Sequence, residues 1–469
     1  MRVHFHTFGC KANQYDTERM RQELEARGAE AVESWEGAEL VVVNTCTVTN
    51  EADAEARRFL RRVRRRSPET RVVVAGCSAA LRAAEYRSMD GVAGVVAGQD
   101  PVAVATAALA AAPRFVQLED RRALDRIDTE PVGGELLRRR NDGTRGWLKI
   151  QDGCDRRCAF CATRLARGES RSRPEAEVVA EARLLARTHP ELVLTGVHIG
   201  HYGRDLGVGR TLSRLVARLL DAVPEVRFRL GSIEATEIDD LLLDLLATSG
   251  GRLAPHLHMP LQSGADPVLR RMRRWHTREQ YRRRALEIAS RLPVLGLGAD
   301  VITGFPGETD AHHERTVALV RELPFTYLHV FPFSPRDGTP AAALNREMPV
   351  PQRVAGERSR ELRELARCRG EVYRARRVGD RAEVVLEGGG RALTGDYLRV
   401  RVRVASGDAS GTASGPAASQ SDPPGEGLHT GVLNGTGSDL YIALGKASRA
   451  APGPTAAVLP GTPPNPPAP

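Results

Sequence analysis

The chain has 469 residues, more than one ordinary core accommodates, which predicts two or three domains. Its formal charge of +9 suits a nucleic-acid partner, yet lysine stands only at Lys11, Lys149 and Lys446, so a general drift toward arginine accounts for the charge equally well. No run of about 18 apolar residues suggests a membrane span, and the start MRVHFHTFGCKANQ lacks the shape of a signal peptide, so a cytoplasmic protein with no membrane partner is expected.

Residues 1–112 alternate between short apolar runs and helical patterns. Strands are predicted at Val3–Phe8, Leu40–Asn44, Arg71–Ala75 and Gly94–Ala97, and helices at Tyr15–Ala26 and Glu51–Arg66. Such alternation predicts an α/β domain with a parallel sheet. Residues 113–144 lack sustained periodicity and read as a linker. From 145 to 369 strands are expected at Trp147–Ile150, Leu192–Thr195, Phe228–Gly231, His256–Met259, Leu295–Ile302 and Tyr327–Phe331. Helices at Pro174–Thr188, Thr211–Ala222, Thr277–Leu292 and Glu308–Leu323 separate them, giving six βα units and hence a partial (β/α)6 barrel. An arginine-rich helix follows near Gln352–Val372. Residues 370–446 then carry short alternating strands, RAEVVLE, DYLRVRVRV and LYIALG, which predict a small antiparallel β-barrel. A Gly/Ser/Ala/Pro insertion at about 405–427 reads as a flexible loop, and the Pro/Ala-rich tail at 447–469 as disordered.

Six of the seven cysteines form two groups of three. Cys154, Cys158 and Cys161 share the loop DGCDRRCAFC after the first barrel strand, the face where barrel chemistry sits. Three thiolates there can hold three corners of an iron–sulfur cube and leave the fourth iron open, whereas an electron-transfer cluster is usually closed by four cysteines. Structural zinc would want a fourth Cys or His, and the loop itself offers none. Cys10, Cys46 and Cys77 each follow an apolar run, so the sheet would carry all three to its C-terminal edge, where ligands bind in open α/β sheets. Each alone would equally suit a buried small residue at a strand end. Cys368 sits in the arginine-rich helix with no partner by spacing.

CxxxCxxC after a barrel strand resembles the signature of radical S-adenosylmethionine enzymes. FGCKANQYDTE around Cys10, NTCTVTNEAD around Cys46 and AGCSAA around Cys77 resemble the three motifs of the methylthiotransferases among them. Within that family the motifs are most similar to those of the tRNA threonylcarbamoyladenosine branch. Gly9–Cys10–Lys11 with Asn13–Gln14–Tyr15, the run Thr47–Val48–Thr49, GVHIGHYGRD at 196–205 and HVFPFSPRDGTPA at 329–341 carry that likeness. The isopentenyladenosine branch usually has Arg in place of Thr49, and the ribosomal-protein branch usually has Pro before the Lys after its first cysteine. Ala162–Thr163–Arg164 departs from the common aliphatic pair and proline after the third cysteine.

The resemblance implies two [4Fe–4S] clusters, one at Cys154, Cys158 and Cys161 that binds S-adenosylmethionine, and an auxiliary one at Cys10, Cys46 and Cys77. It implies cofactor contacts from Phe160, Thr195 and Gly196, from Gln262 and Ser263, and from Gly304. It implies methylthiolation of N6-threonylcarbamoyladenosine at position 37 of tRNA. Implied partners are the tRNA anticodon stem-loop, a sulfur donor and an electron donor such as flavodoxin or ferredoxin. The C-terminal barrel resembles a TRAM domain, with Arg399, Arg401 and Arg403 alternating beside Tyr397 as a phosphate-contacting face. A solvated strand face is the alternative there. Other readings of the whole chain are an isopentenyladenosine or ribosomal-protein methylthiotransferase, and a non-catalytic iron–sulfur module that binds RNA or transfers electrons.

Overall fold

The computed structural model describes residues 1–47, 50–110, 114–116, 144–404 and 427–444. Val48 and Thr49, nearly all of the expected linker, the insertion and the tail lie outside the described residues. No described helix is long and apolar enough to cross a membrane.

The N-terminal part is one parallel six-stranded sheet in the order β2-β1-β3-β4-β5-β6. Its strands are β1 (Arg2–Thr7), β2 (Glu30–Ala31), β3 (Leu40–Thr45), β4 (Arg71–Gly76), β5 (Val92–Val96) and β6 (Arg114–Val116). Every residue of β3 is buried, as expected for a parallel strand covered on both faces. Helices Lys11–Ala26 and Pro101–Leu109 pack one face around Met20, Leu24 and Val104, while Asn50–Arg66 covers the other through Phe59, Leu60 and Val63. Strand β6 corrects the linker expectation, since Arg114–Val116 pairs with β5 and extends the sheet. The pairing is carried by main-chain bonds and needs no sequence periodicity, which is why a three-residue strand escaped the pattern.

Six parallel strands follow: β7 (Arg145–Lys149), β10 (Glu191–Thr195), β11 (Arg227–Leu230), β12 (His256–His258), β13 (Gly296–Thr303) and β14 (Tyr327–Pro332). The short pair β8 (Gln151–Asp152) and β9 (Arg171–Ser172) brackets the cysteine loop. The six form two sheets, β11-β10-β7 and β12-β13-β14, bridged at Phe228–Leu253 and Ser232–His258 into a partial barrel. Its outer layer is the main hydrophobic core, with Leu192, Leu194, Phe228, Leu257, Leu297, Val301 and Val330 facing the helices. Helix starts are set by capping side chains, as at Thr277, whose hydroxyl accepts from Gln280 N–H while the Gln280 side chain returns to the Thr277 N–H.

The 25-residue helix Gln352–Arg376 runs along β14 to the C-terminal closed barrel. That barrel is β15 (Arg381–Gly388), β16 (Arg391–Thr394), β17 (Arg399–Val404), β19 (Leu440–Leu444) and β18 (Leu428–Gly435), in that order. Strands β16 and β18 were not foreseen. Tyr397 needs a second correction: it lies before β17 in a turn at φ +68°, and its ring stacks on His256 of the larger barrel at 4.2 Å. It therefore does not continue the arginine face.

Candidate active site at the junction of the two cysteine triplets

The strand ends bring the dispersed cysteines together. Cys46 follows β3 directly, Cys77 follows β4 and opens the short helix Cys77–Leu81, and Cys10 precedes Lys11–Ala26. Asn13 ties these loops: its Nδ2 donates to Phe8 O and to Thr45 O, each at 2.9 Å, and its Oδ1 faces the Cys77 thiol at 3.8 Å. Gly9, at φ +103°, lies so close to Cys46 that a Cβ would meet its Sγ at 2.5 Å, so no larger residue fits there.

The compact triplet lies across the interface. Helix Thr163–Arg167, just after Cys161, packs Ala166 against Cys77 and Ala80. Arg167 joins the two halves. Its Nε donates to Cys77 Sγ at 3.2 Å, its Nη1 to both Asp152 oxygens at 2.9 and 3.0 Å, and its Nη2 to Asn13 Oδ1 and Asp16 Oδ2, both at 2.6 Å. Lys149 completes the network, 2.6 Å from Asp16 and 2.9 Å from Asp152. Burial alone would raise the Asp152 carboxyl, but Arg167 and Lys149 outweigh it and hold it well below the usual carboxylate range. A second buried bridge runs from Tyr15 to Glu181 and Arg173 at 3.1 and 3.2 Å.

Each sulfur of the compact triplet has a hydrogen-bonding neighbour. His198 Nδ1 is 3.6 Å from Cys154, Arg274 donates to Cys158 at 3.6 Å, and the Thr163 N–H donates to Cys161 at 3.4 Å. His198 is itself held by Glu237 at 2.9 Å, and Arg274 by Glu234 at 2.5 Å. Burial pushes the Cys154 thiol up to about 12, and raises Cys158 and Cys77 as well, so these groups ionise when a cationic centre binds them.

Two imidazole–carboxylate sets, His198–His201–Glu237 and His258–Asp300–His329, bring three ligand atoms within 4.8 Å of one another; neither cysteine triplet does so among the described residues. Tetrahedral zinc, with bonds of about 2.3 Å, would draw its sulfurs to about 3.8 Å apart. The wider spacing and the ring of N–H donors fit a polynuclear cluster, whose sulfurs accept such bonds.

A cavity of about 160 Å³ opens beside Cys161. Phe160, Cys161 and Thr163 line it from the loop, Thr47 from beside Cys46, and Gln262, Asp300 and Phe331 from the barrel. Among the expected cofactor contacts, Phe160 and Gln262 reach this cavity, the latter in a turn at φ +65°. Thr195 and Gly196 end β10 beside Gln151, whose main-chain oxygen lies 2.7 Å from where a Gly196 Cβ would stand. Ser263 is buried against Thr316 at 3.4 Å, and Gly304 backs onto Ala355, so neither lines the cavity. Arg399, Arg401 and Arg403 are exposed on β17; Arg399 faces Glu387 at 3.7 Å, Arg401 pairs with Asp439, and Arg403 lies 3.8 Å over the Tyr441 ring. Cys368 is exposed, its thiol 3.6 Å from Glu364. Sequence reasoning missed Arg167, Asn13 and Arg274 as groups that touch the cysteines; their signal is proximity in the fold, not in the chain.

Comparison with known proteins agrees with this layout. Residues 2–98 match the family described as uncharacterized protein family UPF0004, and residues 148–320 match the radical SAM superfamily. The threonylcarbamoyladenosine tRNA methylthiotransferase MtaB of Rickettsia prowazekii is 34% identical over 400 residues, covering 84% of this chain and 90% of that protein. The Bacillus subtilis protein of the same name is 36% identical over 399 residues, covering 82% and 84%. The tRNA-2-methylthio-N(6)-dimethylallyladenosine synthase of Erythrobacter litoralis is 32% identical over 394 residues, covering 82% and 86%. Among solved structures, the radical S-adenosylmethionine methyltransferase TsrM of Kitasatospora setae matches in fold, with a TM-score of 0.53 at 18% identity over 73% of this chain and 77% of that one.

Proposed function

Because the chain belongs to the radical S-adenosylmethionine methylthiotransferases that act on tRNA, we propose that its substrate is N6-threonylcarbamoyladenosine at position 37, converted to the 2-methylthio derivative. The observation that carries a two-centre reaction is Arg167, one buried side chain that touches both the Cys77 thiol and the base of the Cys154 loop. The threonylcarbamoyl branch is supported by the motifs around Cys10 and His198 and by the relatives that bear that name.

Cys154, Cys158 and Cys161 would hold one [4Fe–4S] cluster and Cys10, Cys46 and Cys77 a second; with S-adenosylmethionine they supply one-electron activation of an inert C–H bond and the sulfur to be transferred. The chain's own residues position and shield. Arg167, Asn13 and Gly9 fix the auxiliary sulfurs, while His198, Arg274 and Thr163 hold those of the loop. Phe160 and Gln262 flank the place for S-adenosylmethionine in the shared cavity, where holding the reactants in one orientation lowers the barrier. Thr195 and Gly196 stand beside Gln151, Ser263 follows the cavity-lining Gln262, and Gly304 packs closely on Ala355. Arg399, Arg401 and Arg403 receive phosphates of the anticodon stem-loop. A low-potential one-electron carrier, such as a flavodoxin or ferredoxin, and a sulfur donor complete the set of partners.

Reconstituted protein is expected to hold about eight irons, and a Cys154→Ala variant about four. Mass analysis of nucleosides should show the methylthio product on threonylcarbamoyl-tRNA and none on isopentenyl-tRNA. The opposite selectivity would place the chain with the Erythrobacter litoralis relative, and zinc in place of iron would overturn the two-cluster reading.

A further inference from the structure

The partial barrel does not close on itself, and its two edge strands differ: helix Lys11–Ala26 packs on β7, where Asp16 holds Lys149 at 2.6 Å and Lys11 lies 5.4 Å over the Trp147 ring, while β14 stays exposed at His329 and Phe331. Among the described residues, its first and last parallel strands, β7 and β14, each pair with a single neighbour and not with one another. Side chains alternate along β14, so Val330 enters the outer core while Tyr327, His329 and Phe331 turn into the lumen. His329 has 53% of its side chain exposed, and Phe331 is 40% exposed. Phe331 thus presents an apolar face to the cavity that it lines.

These rings form a ladder. Tyr397 lies 5.4 Å from Tyr327, Tyr327 lies 5.3 Å from His329, and His329 lies 6.4 Å from Phe331. The ladder is held from the neighbouring strand. Asp300, cross-strand partner of His329, accepts from His329 Nδ1 at 3.3 Å and from His258 Nε2 at 3.0 Å, which fixes the imidazole. Gly298, directly opposite Tyr327, leaves the ring a space that a Cβ would fill. The upper end of the ladder, Phe331, lines the cavity that Phe160 and Cys161 share. Its lower end rests on the C-terminal barrel, where Glu387 ties Arg145, the first residue of β7, to Arg399 of the arginine strand, at 2.6 and 3.7 Å.

We propose that the lumen face of β14, with Phe331 and His329, is a stacking platform for the purine ring of a splayed tRNA nucleotide. This deepens, and rests on, the reading that the chain modifies a tRNA adenosine. Successive rings with open faces accept any base, and Arg399, whose side chain is 69% exposed where the ladder meets the C-terminal barrel, suits a neighbouring phosphate. The other purine able to use the same face is the adenine of S-adenosylmethionine. The ladder favours the RNA base because it leads from the cavity along β14 to the arginine-bearing domain.

The test is equilibrium binding by the reconstituted full-length protein. The probes are a labelled anticodon stem-loop with adenosine at the modified position, the same stem-loop with an abasic site there, and S-adenosylmethionine alone. Phe331→Ala should weaken binding of the adenosine stem-loop by about tenfold, leave the abasic one unchanged and leave S-adenosylmethionine affinity intact. Phe331→Trp should retain binding, and His329→Ala should lose it in the same base-dependent way. Equal weakening of both stem-loops would overturn the proposal, and a loss confined to S-adenosylmethionine would give the ring to the cofactor instead. Failure of the unaltered protein to bind either stem-loop would reject the tRNA reading and the platform with it.

Discussion

Replacing Arg167 by methionine keeps much of the side-chain volume and removes the charge. Asp152 and Asp16, both buried, then still face Lys149, at 2.9 and 2.6 Å. Losing one partner of a buried ion pair costs about 3–5 kcal/mol. Because Lys149 still touches both carboxylates, the lower end applies, about 3 kcal/mol, or roughly 6–12 °C in melting temperature at the scale of domains this large. Adding Asp152→Asn should recover part of the loss, since one stranded charge is then gone. Urea unfolding followed by tryptophan fluorescence reads this directly, because Trp147 lies on β7, two residues before Lys149. Iron retention gives a second readout: the Arg167 donor to Cys77 is also lost, and such support typically contributes about 10- to 100-fold in metal affinity. A destabilisation below about 1 kcal/mol, the level of an exposed pair, with iron unchanged, would refute the view that Arg167 locks the two halves together.

Glu191 gives a pH-dependent counterpart. Burial would raise its carboxyl, but Arg229 and Arg227 outweigh burial and hold it well below the usual carboxylate range. A depressed folded pKa adds stability above the unfolded value of about 4.3 that is lost as pH falls through the folded one. Glu191→Gln should therefore be clearly less stable than the unaltered protein in urea at pH 7, with the gap narrowing as pH is lowered through 4; a constant gap would count against the ion pair. On β17, Arg401→Ala and Arg403→Ala should each weaken stem-loop binding whatever the sequence and lower its salt dependence by about one phosphate contact. An unchanged slope would return those arginines to an ordinary solvated face.

The longer strands of the parallel sheets were legible because buried parallel strands are short apolar runs, and LVVVNT and RVVVAG announce themselves. Cys10, Cys46 and Cys77 were legible because their positions just past such runs place them on one edge, and Cys154, Cys158 and Cys161 because their close spacing puts them on one loop. The lumen was not. In RFRL of β11 the alternation reads as apolar-in and polar-out, yet Arg227 and Arg229 point into the barrel and Phe228 and Leu230 outward to the helices. A barrel interior that binds ligands inverts the usual sign of the pattern. Tyr397 escaped for a different reason: the chain turns at a positive φ that tyrosine rarely adopts, so DYLRVRVRV looked continuous where the structure bends. Arg167 was hidden because its partners, Asn13, Asp16 and Cys77, come from far earlier in the chain.

The C-terminal barrel is fastened to the larger one by two buried guanidinium groups. Arg227 donates to the main-chain oxygens of Glu383 and Leu393, and Arg229 to those of Thr394 and Gly395. A domain attached by a slack tether raises the local concentration of RNA but leaves open which nucleotide arrives. A domain bolted at fixed spacing acts as a caliper. On the proposed reading that the arginine strand grips the RNA backbone, the distance to the lumen would select which position along the loop can be presented. Choice of nucleotide then becomes a matter of length and angle, and loosening Arg227 or Arg229 would blur the address before it dulled the chemistry.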